Sequence, residues 1–264
     1  MEDQMQRQRF ERKYFVNENQ ALAIREHVRC HLVPDQFSEG KADYSYPVHS
    51  IYLDSDNLLT YWATVQCEKK RFKLRVRFYD DHPDSPVFFE LKRRENECIL
   101  KQRGMVHRRA AAMLLAGHVP GPEHMISSKP NQLVAVQRFC HLTHKLHARP
   151  MMHIAYMREA WVSKLNNSVR VTVDRLVRGE PRHKPVFLTR MEDPVYPFGK
   201  LHVLELKFTD RFPDWFNGLV QHFDLLQTGG PKYCGSIMEL GEQQVVWMEH
   251  GSVQQKLAHI RNYC

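Results

Sequence analysis

Long apolar runs are missing from this chain of 264 residues. The longest, Ala110 to Ala116, falls far short of the roughly 20 residues that a helix needs to cross a bilayer. The N-terminal stretch MEDQMQRQRFERKY has no apolar core of the signal-peptide kind, so the expected location is cytoplasmic. The six cysteines are scattered with no CxxC pair. That argues against a disulfide framework or a structural zinc site and for free thiols. There is no P-loop, no GxGxxG and no zinc-finger spacing, and no Ser-His-Asp or Cys-His pair stands out. Internal repeats and low-complexity segments are also absent. Chemistry that announces itself by a short motif is therefore excluded.

The hydrophobic content of 42% suffices for a sizeable core, and no linker divides the chain, so one domain over residues 1–264 is expected. Lysine and arginine exceed aspartate and glutamate by 38 to 30. A basic balance points to an anionic partner: nucleic acid, a membrane surface or a phosphate ligand. Cys140, His141, His144 and His147 invite a metal reading, but a polar helix face carrying histidines explains them better.

Apolar spacing, caps and breakers predict helices over Asn19–Leu32, Asp56–Val65, Arg108–Ala116, Asn131–Leu146 and Asp214–Leu226, with one more in the last thirty residues. Strands are predicted over Phe10–Val16, His49–Leu53, Arg71–Tyr79, Val87–Lys92, Cys98–Arg103, Met152–Trp161, Val169–Leu176 and Leu201–Phe208. Eight strands without regular βαβ alternation imply an antiparallel α+β architecture.

The strands share one pattern. Phe72, Leu74, Val76 and Phe78 alternate with Lys73, Arg75 and Arg77, so the two sets occupy opposite faces. Phe89 and Leu91 oppose Glu90 and Lys92. Val169, Val171 and Val173 oppose Arg170, Thr172 and Asp174. Leu204, Leu206 and Phe208 oppose Glu205 and Lys207. Glu11 pairs with Lys13, Lys101 with Arg103, and Tyr156 with Arg158 on common faces. A single such strand is explained by a sheet with one wet face. Taken together, arginine and lysine doublets with an occasional glutamate, and helices available to cover the apolar face, imply more. A closed eight-stranded barrel with helices packed outside would turn the charged faces inward, leaving room for side chains or one slender ligand. So many cations at low dielectric repel unless an anion shares the space. A chain of phosphates fits, since arginine makes bidentate phosphate contacts and lysine acts as a point charge. The glutamates make sense as oxygen ligands for Mg²⁺ or Mn²⁺. Nucleic acid is not expected as the partner, because Phe72 and Phe78 lie opposite the arginines, with Tyr79 and Tyr156 as exceptions to that separation.

In order along the chain, Arg9-Phe10-Glu11-Arg12-Lys13-Tyr14, Lys73-Leu74-Arg75-Val76-Arg77, Phe89-Glu90-Leu91-Lys92 and Leu100-Lys101-Gln102-Arg103 are followed by Arg149-Pro150 with Tyr156-Met157-Arg158. Val169 to Asp174, Leu204-Glu205-Leu206-Lys207 and Pro231-Lys232-Tyr233-Cys234 complete the series. This succession resembles the triphosphate tunnel metalloenzymes, and within them the VTC (vacuolar transporter chaperone) polyphosphate polymerase domain. The resemblance implies an eight-stranded tunnel that binds ATP and polyphosphate and moves the γ-phosphoryl group onto the growing chain. It implies that Arg75, Arg77, Lys92, Arg158 and Arg170 carry the reaction, and that Lys13, Lys101, Arg103, Tyr156, Lys207 and Lys232 bind the phosphate path. Glu205 would hold Mn²⁺ or Mg²⁺, with Glu11 and Glu90 as helpers. Arg9 stands where tunnel triphosphatases place a first glutamate, which favours the polymerase branch. Gly235 stands where a second lysine is usual, which bears on the tunnel exit. A metal-dependent triphosphate hydrolase and a non-catalytic polyphosphate-binding module are the alternatives. No membrane span is expected in this chain, and its protein partners are not specified by the sequence.

Overall fold

The computed structural model describes residues 10–164 and 168–246; Arg9 lies outside them. In chain order the strands and helices begin with β1 (Phe10–Val16), α1 (Glu18–Arg29), β2 (Val33–Pro34), β3 (Ser45–Asp54), α2 (Leu59–Val65) and β4 (Lys70–Phe78). β5 (Val87–Glu95), β6 (Cys98–Val106), α3 (Arg108–Leu115), α4 (Pro130–Lys145), β7 (Arg149–Val162), β8 (Val169–Pro181) and β9 (His202–Phe208) follow. The described chain ends with α5 (Asp214–His222), α6 (Lys232–Leu240) and α7 (Glu242–Val245). No helix among the described residues is long and apolar enough to cross a membrane.

The sheet is antiparallel throughout, in the order β1-β9-β8-β7-β3-β4-β5-β6, with the two-residue β2 on β7. It is a nine-stranded sheet, not the expected eight-stranded barrel, and it is not closed. The reason lies at its edges. The free edge of β1 is taken by the segment before α6: Tyr14 bridges Gln227, and the Thr228 amide donates to the Lys13 carbonyl at 2.8 Å. The free edge of β6 is met by the loop before α4, where Val106 bridges Met125 and the Ile126 amide donates to the Met105 carbonyl. Edge groups satisfied by loops have no need to find each other.

Apolar alternation decides which face turns out. Leu74, Val76, Phe78, Phe89 and Leu91 form one core with Ala111 and Leu114 of α3 and Val136 and Phe139 of α4. Tyr14, Val171, Val173, Leu204 and Leu206 form another with Ile24 and Val28 of α1 and Phe216 and Leu219 of α5. Both cores lie on the outward face, so period two drives the intervening charged residues inward. A third core, inside, joins Tyr52, Ile154, Val177 and Val203 to Tyr233, Cys234 and Ile237 of α6. This helix therefore packs against the inward side chains at one end of the sheet. His141 and His144 are exposed on α4, as a polar helix face requires, and His147 is exposed just beyond the end of the helix. Burial pushes the Cys140 thiol up to about 12.

Two local features set the geometry. In β8 the pairing jumps from Met157–Arg175 to Ala155–Arg178, and Leu176, at φ 51° and exposed, absorbs the extra residue as a bulge. Before it Arg170, Thr172 and Asp174 face inward; after it Val177 and Gly179 do. On β6, Gly104 permits the close approach of α4: a Cβ there would stand 2.3 Å from Val136 Cγ2 and 2.6 Å from the Gln132 carbonyl oxygen. The backbone contact cannot be relieved by a rotamer change. Gly104→Ala is therefore expected to destabilise the fold by about 1–3 kcal/mol, read as a lower denaturation midpoint, with Gly218→Ala, where nothing lies within 4 Å, as the control.

Candidate functional site

The inward face assembles two carboxylate hubs. The first is Glu90 on β5, fully buried. Register places Arg75 of β4 and Arg103 of β6 directly opposite it on either side. Its carboxylate lies 2.7 Å from Arg75, 2.7 Å from Lys101, 3.4 Å from Arg103 and 3.8 Å from Arg77. The second hub is Glu205 on β9. Lys207 approaches it at 2.6 Å, Lys232 at 3.2 Å, Lys13 at 3.3 Å and Arg158 at 3.5 Å. Thr172 donates its hydroxyl to Glu205 and accepts from Lys207. Asp174 of β8 shares the cations of this hub, at 2.7 Å from Arg158 and 2.6 Å from Lys232.

Side chains join the hubs into one interior. Tyr156 accepts from Arg77 at 3.1 Å through its hydroxyl, while Arg158 and Lys232 stand over its ring. On the other side, Glu11 of β1 binds both Lys13 at 3.2 Å and Lys92 of β5 at 3.1 Å. This contact ties the edge strand β1 to β5 across the interior, with no backbone pairing between them. Arg170 sits at one mouth, held at 2.7 Å by Asp35. All fourteen expected site residues thus line the same interior.

Sequence reasoning left out several participants. Lys73 lies 3.2 Å from the Cys234 sulfur and over the Tyr233 ring. Tyr52 accepts from Arg75 at 3.0 Å and stacks on Tyr233. Asp54 is wholly buried; it accepts from the Thr60 and Tyr61 amides and from the Tyr233 hydroxyl at 2.9 Å, which fixes α6 and hence Lys232. Asp174 was visible on the charged face of its strand, but nothing in the spacing marked its part in the hub. Asp35 lies in a turn, where no periodicity operates.

The electrostatics show a surplus of positive charge. Burial raises the Glu90 carboxyl, but Arg77, Lys101, Arg75 and Arg103 hold it well below the usual range. Glu205 is likewise held low by Lys207, Lys232, Lys13 and Arg158 against its burial, and Glu11 and Asp174 are lowered too. The lysines diverge. Burial lowers Lys232, but Asp174 and Glu205 more than restore it. Lys207 is pulled down to about 7, chiefly by burial, with Arg158 repelling it. Lys92 and Lys101 are also lowered, first by burial and then by neighbouring cations. Even the Tyr52 phenol, which burial would raise, is brought to about 8 by Arg75 and Lys73.

The VTC domain matches residues 8–240 of this sequence. The chain belongs to the VTC domain family. A search of curated proteins finds no match. Among solved structures, the chain is similar to a Bacillus halodurans protein named a "putative adenylate cyclase", at 12% identity over 88% of this chain and 96% of that one, with a TM-score of 0.51. It is also similar to the Mimivirus capping enzyme triphosphatase, at 11% identity over 84% of this chain and 90% of that one, with a TM-score of 0.34. The first likeness shows a shared fold.

For a VTC domain, the metal expectation divides on the donor set. No group of three or more His, Cys, Asp or Glu side chains among the described residues could hold a metal ion. Four cations surround Glu90 and four surround Glu205, so neither carboxylate is a preformed metal site. Glu205 and Glu11, linked through Lys13, fit only the pattern in which one or two carboxylates share an octahedral ion with water and substrate phosphates.

Depressed carboxyls make a pH prediction. A group whose folded pKa lies below its unfolded value contributes stability that is complete above the unfolded value and lost as pH falls through the folded one. For Glu11, Glu90, Asp174 and Glu205 that loss starts below about pH 5. The melting temperature should fall by roughly 10 °C or more between pH 6 and pH 3, read by calorimetry at constant ionic strength. A flat profile would mean that the hubs contribute nothing net.

Proposed function

We propose that this VTC domain binds ATP and a polyphosphate chain in its basic interior and transfers the γ-phosphoryl group to the chain end. The observation that carries this reading is the excess of inward lysine and arginine over inward carboxylate: four cations on Glu90, and four more shared by Glu205 and Asp174. Such an interior is complete only with a polyanion inside it. Phosphoryl transfer asks mainly for positioning and charge stabilisation. Arg75 and Arg77, fixed by Glu90, and Arg158, fixed by Asp174, are preorganised to hold phosphate oxygens. Lys13, Lys92, Lys101, Arg103, Arg170, Lys207 and Lys232 would extend the path, and Tyr156 would donate its hydroxyl.

In the reaction, a terminal oxygen of the chain attacks the γ-phosphorus, the bond to the β-bridging oxygen breaks, and ADP leaves with that electron pair. No side-chain nucleophile is required. Mg²⁺ or Mn²⁺, held by Glu205 with Glu11 beside it, would neutralise charge on the phosphate oxygens. A second reading is hydrolysis of a triphosphate by water in the same interior. It is favoured by α6, whose Tyr233, Cys234 and Ile237 fill one end of the interior, where a long chain would otherwise leave. Incubation with ATP and Mn²⁺, followed by separation of ADP, phosphate and long chains, distinguishes the two. Long chains support transfer, and free phosphate alone supports hydrolysis.

Two further outcomes are expected. Glu205→Gln should still bind triphosphate through the arginines but lose metal-dependent turnover by about 10²-fold or more. Wild-type turnover in this variant would make Glu205 a structural ion-pair partner. Binding of tripolyphosphate at pH 8 should take up protons, because an anion next to Lys207 raises a group that is largely deprotonated there. Calorimetry in buffers of different ionisation enthalpy measures this, and affinity should weaken as pH rises above 7.

A further inference from the structure

Beyond Arg77 and Arg158, the charged interior gives way to aromatic rings. Tyr79 lies two residues after Arg77, immediately past the end of β4, where its ring meets Phe88 and Tyr46. Phe88 lies opposite Arg77 on β5, and Tyr46 lies opposite Arg158 on β3. Phe37, from the loop between β2 and β3, completes the group. Its ring is 12° from parallel with Tyr79 at 6.4 Å, and 5.7 Å from Tyr46. Tyr79 meets Phe88 edge-on at 5.7 Å. Arg103, a member of the Glu90 hub, has its guanidinium carbon 3.6 Å from the centre of the Phe88 ring. Rings and phosphate-type cations are therefore in direct contact.

Three observations set this cluster apart from an apolar plug. Phe37 is 56% exposed, so more than half of it stays in solvent. Its loop is nevertheless built to hold it: Asp35 accepts from the Phe37 and Ser38 amides at 3.0 and 2.9 Å. The same Asp35 carboxylate binds Arg170 at 2.7 Å and accepts from the Tyr46 hydroxyl at 3.3 Å. One buried acid thus fixes both an exposed ring and an inward-facing arginine.

We infer that Phe37 and Tyr79 form the platform on which the base of a nucleoside triphosphate stacks while its phosphates enter the cationic interior. This inference rests on the proposed triphosphate site. An aromatic base offers a flat π face to any such platform, with purines gaining more contact than pyrimidines. Asp35 acts as a positioning residue, tying the platform to the Arg170 end of the phosphate path. An inorganic triphosphate has no base, so the platform separates two ligands that the interior alone would treat alike.

Calorimetric titration of the full chain with ATP and with inorganic tripolyphosphate tests this. Phe37→Ala should weaken ATP by about ten- to a hundredfold and leave tripolyphosphate unchanged, which also certifies the fold. Phe37→Leu, which keeps apolar bulk without a π face, should resemble the alanine variant, whereas Phe37→Trp should retain ATP affinity. The inference is overturned if Phe37→Ala changes both ligands equally or neither, if leucine serves as well as phenylalanine, or if the unmodified protein binds tripolyphosphate but not ATP. If the unmodified protein binds neither, the triphosphate reading itself fails and the platform falls with it.

Discussion

Like-charge repulsion inside a curved sheet is the constraint on which this structure turns. The outward faces of the strands are claimed by α1, α3, α4 and α5, so the lysines and arginines must face one another. Glu90 and Glu205 make that arrangement foldable, each by accepting several cations at once. Removing one partner of such a buried group leaves an uncompensated charge and is far more costly than never having built it. Since neither hub neutralises all its cations, the folded state retains a demand for anions that the protein itself does not meet.

The architecture was largely legible in the sequence because it follows from one rule, the period of two in a strand. That rule placed Arg75, Arg77, Lys92, Arg158, Arg170 and Glu205 on a shared face, and the structure puts them in one interior. It could not show whether the sheet closes. Closure is decided at the edges, by Gln227–Thr228 beside β1 and by Met125–Ile126 beside β6, segments with no strand-like pattern. Period two also could not foresee Val33–Pro34 as a ninth strand, which is too short to carry a periodicity.

The site was less legible than the fold. Glu90 was visible as an acid among basic residues, a combination shared by a metal ligand and an ion-pair hub; the four cations that meet on it come from neighbouring strands and could not be read from its own. Asp35 and Phe37 were not found at all. Their importance comes from a turn that brings an acid to Arg170 and a ring to Tyr79, and turns encode position through hydrogen bonds instead of spacing. The sequence expectation that aromatics stay on the face opposite the arginines holds for Phe72 and Phe78. It fails at the mouth, where Phe88 and Tyr46 come from strands whose inward aromatics had not been counted.

The bulge at Leu176 works as a frame shift within β8. Up to Asp174 the strand presents the interior with charge and hydroxyl; past Leu176 the alternation presents it with Val177 and Gly179. Were the same sequence paired with no bulge, Arg178 and Glu180 would be the side chains facing Ser236 and Ile237, where Gly179 now leaves no room even for a Cβ. A single inserted residue therefore divides one strand into a half that addresses a ligand and a half that addresses a helix, so the length of β8 carries information that its composition does not.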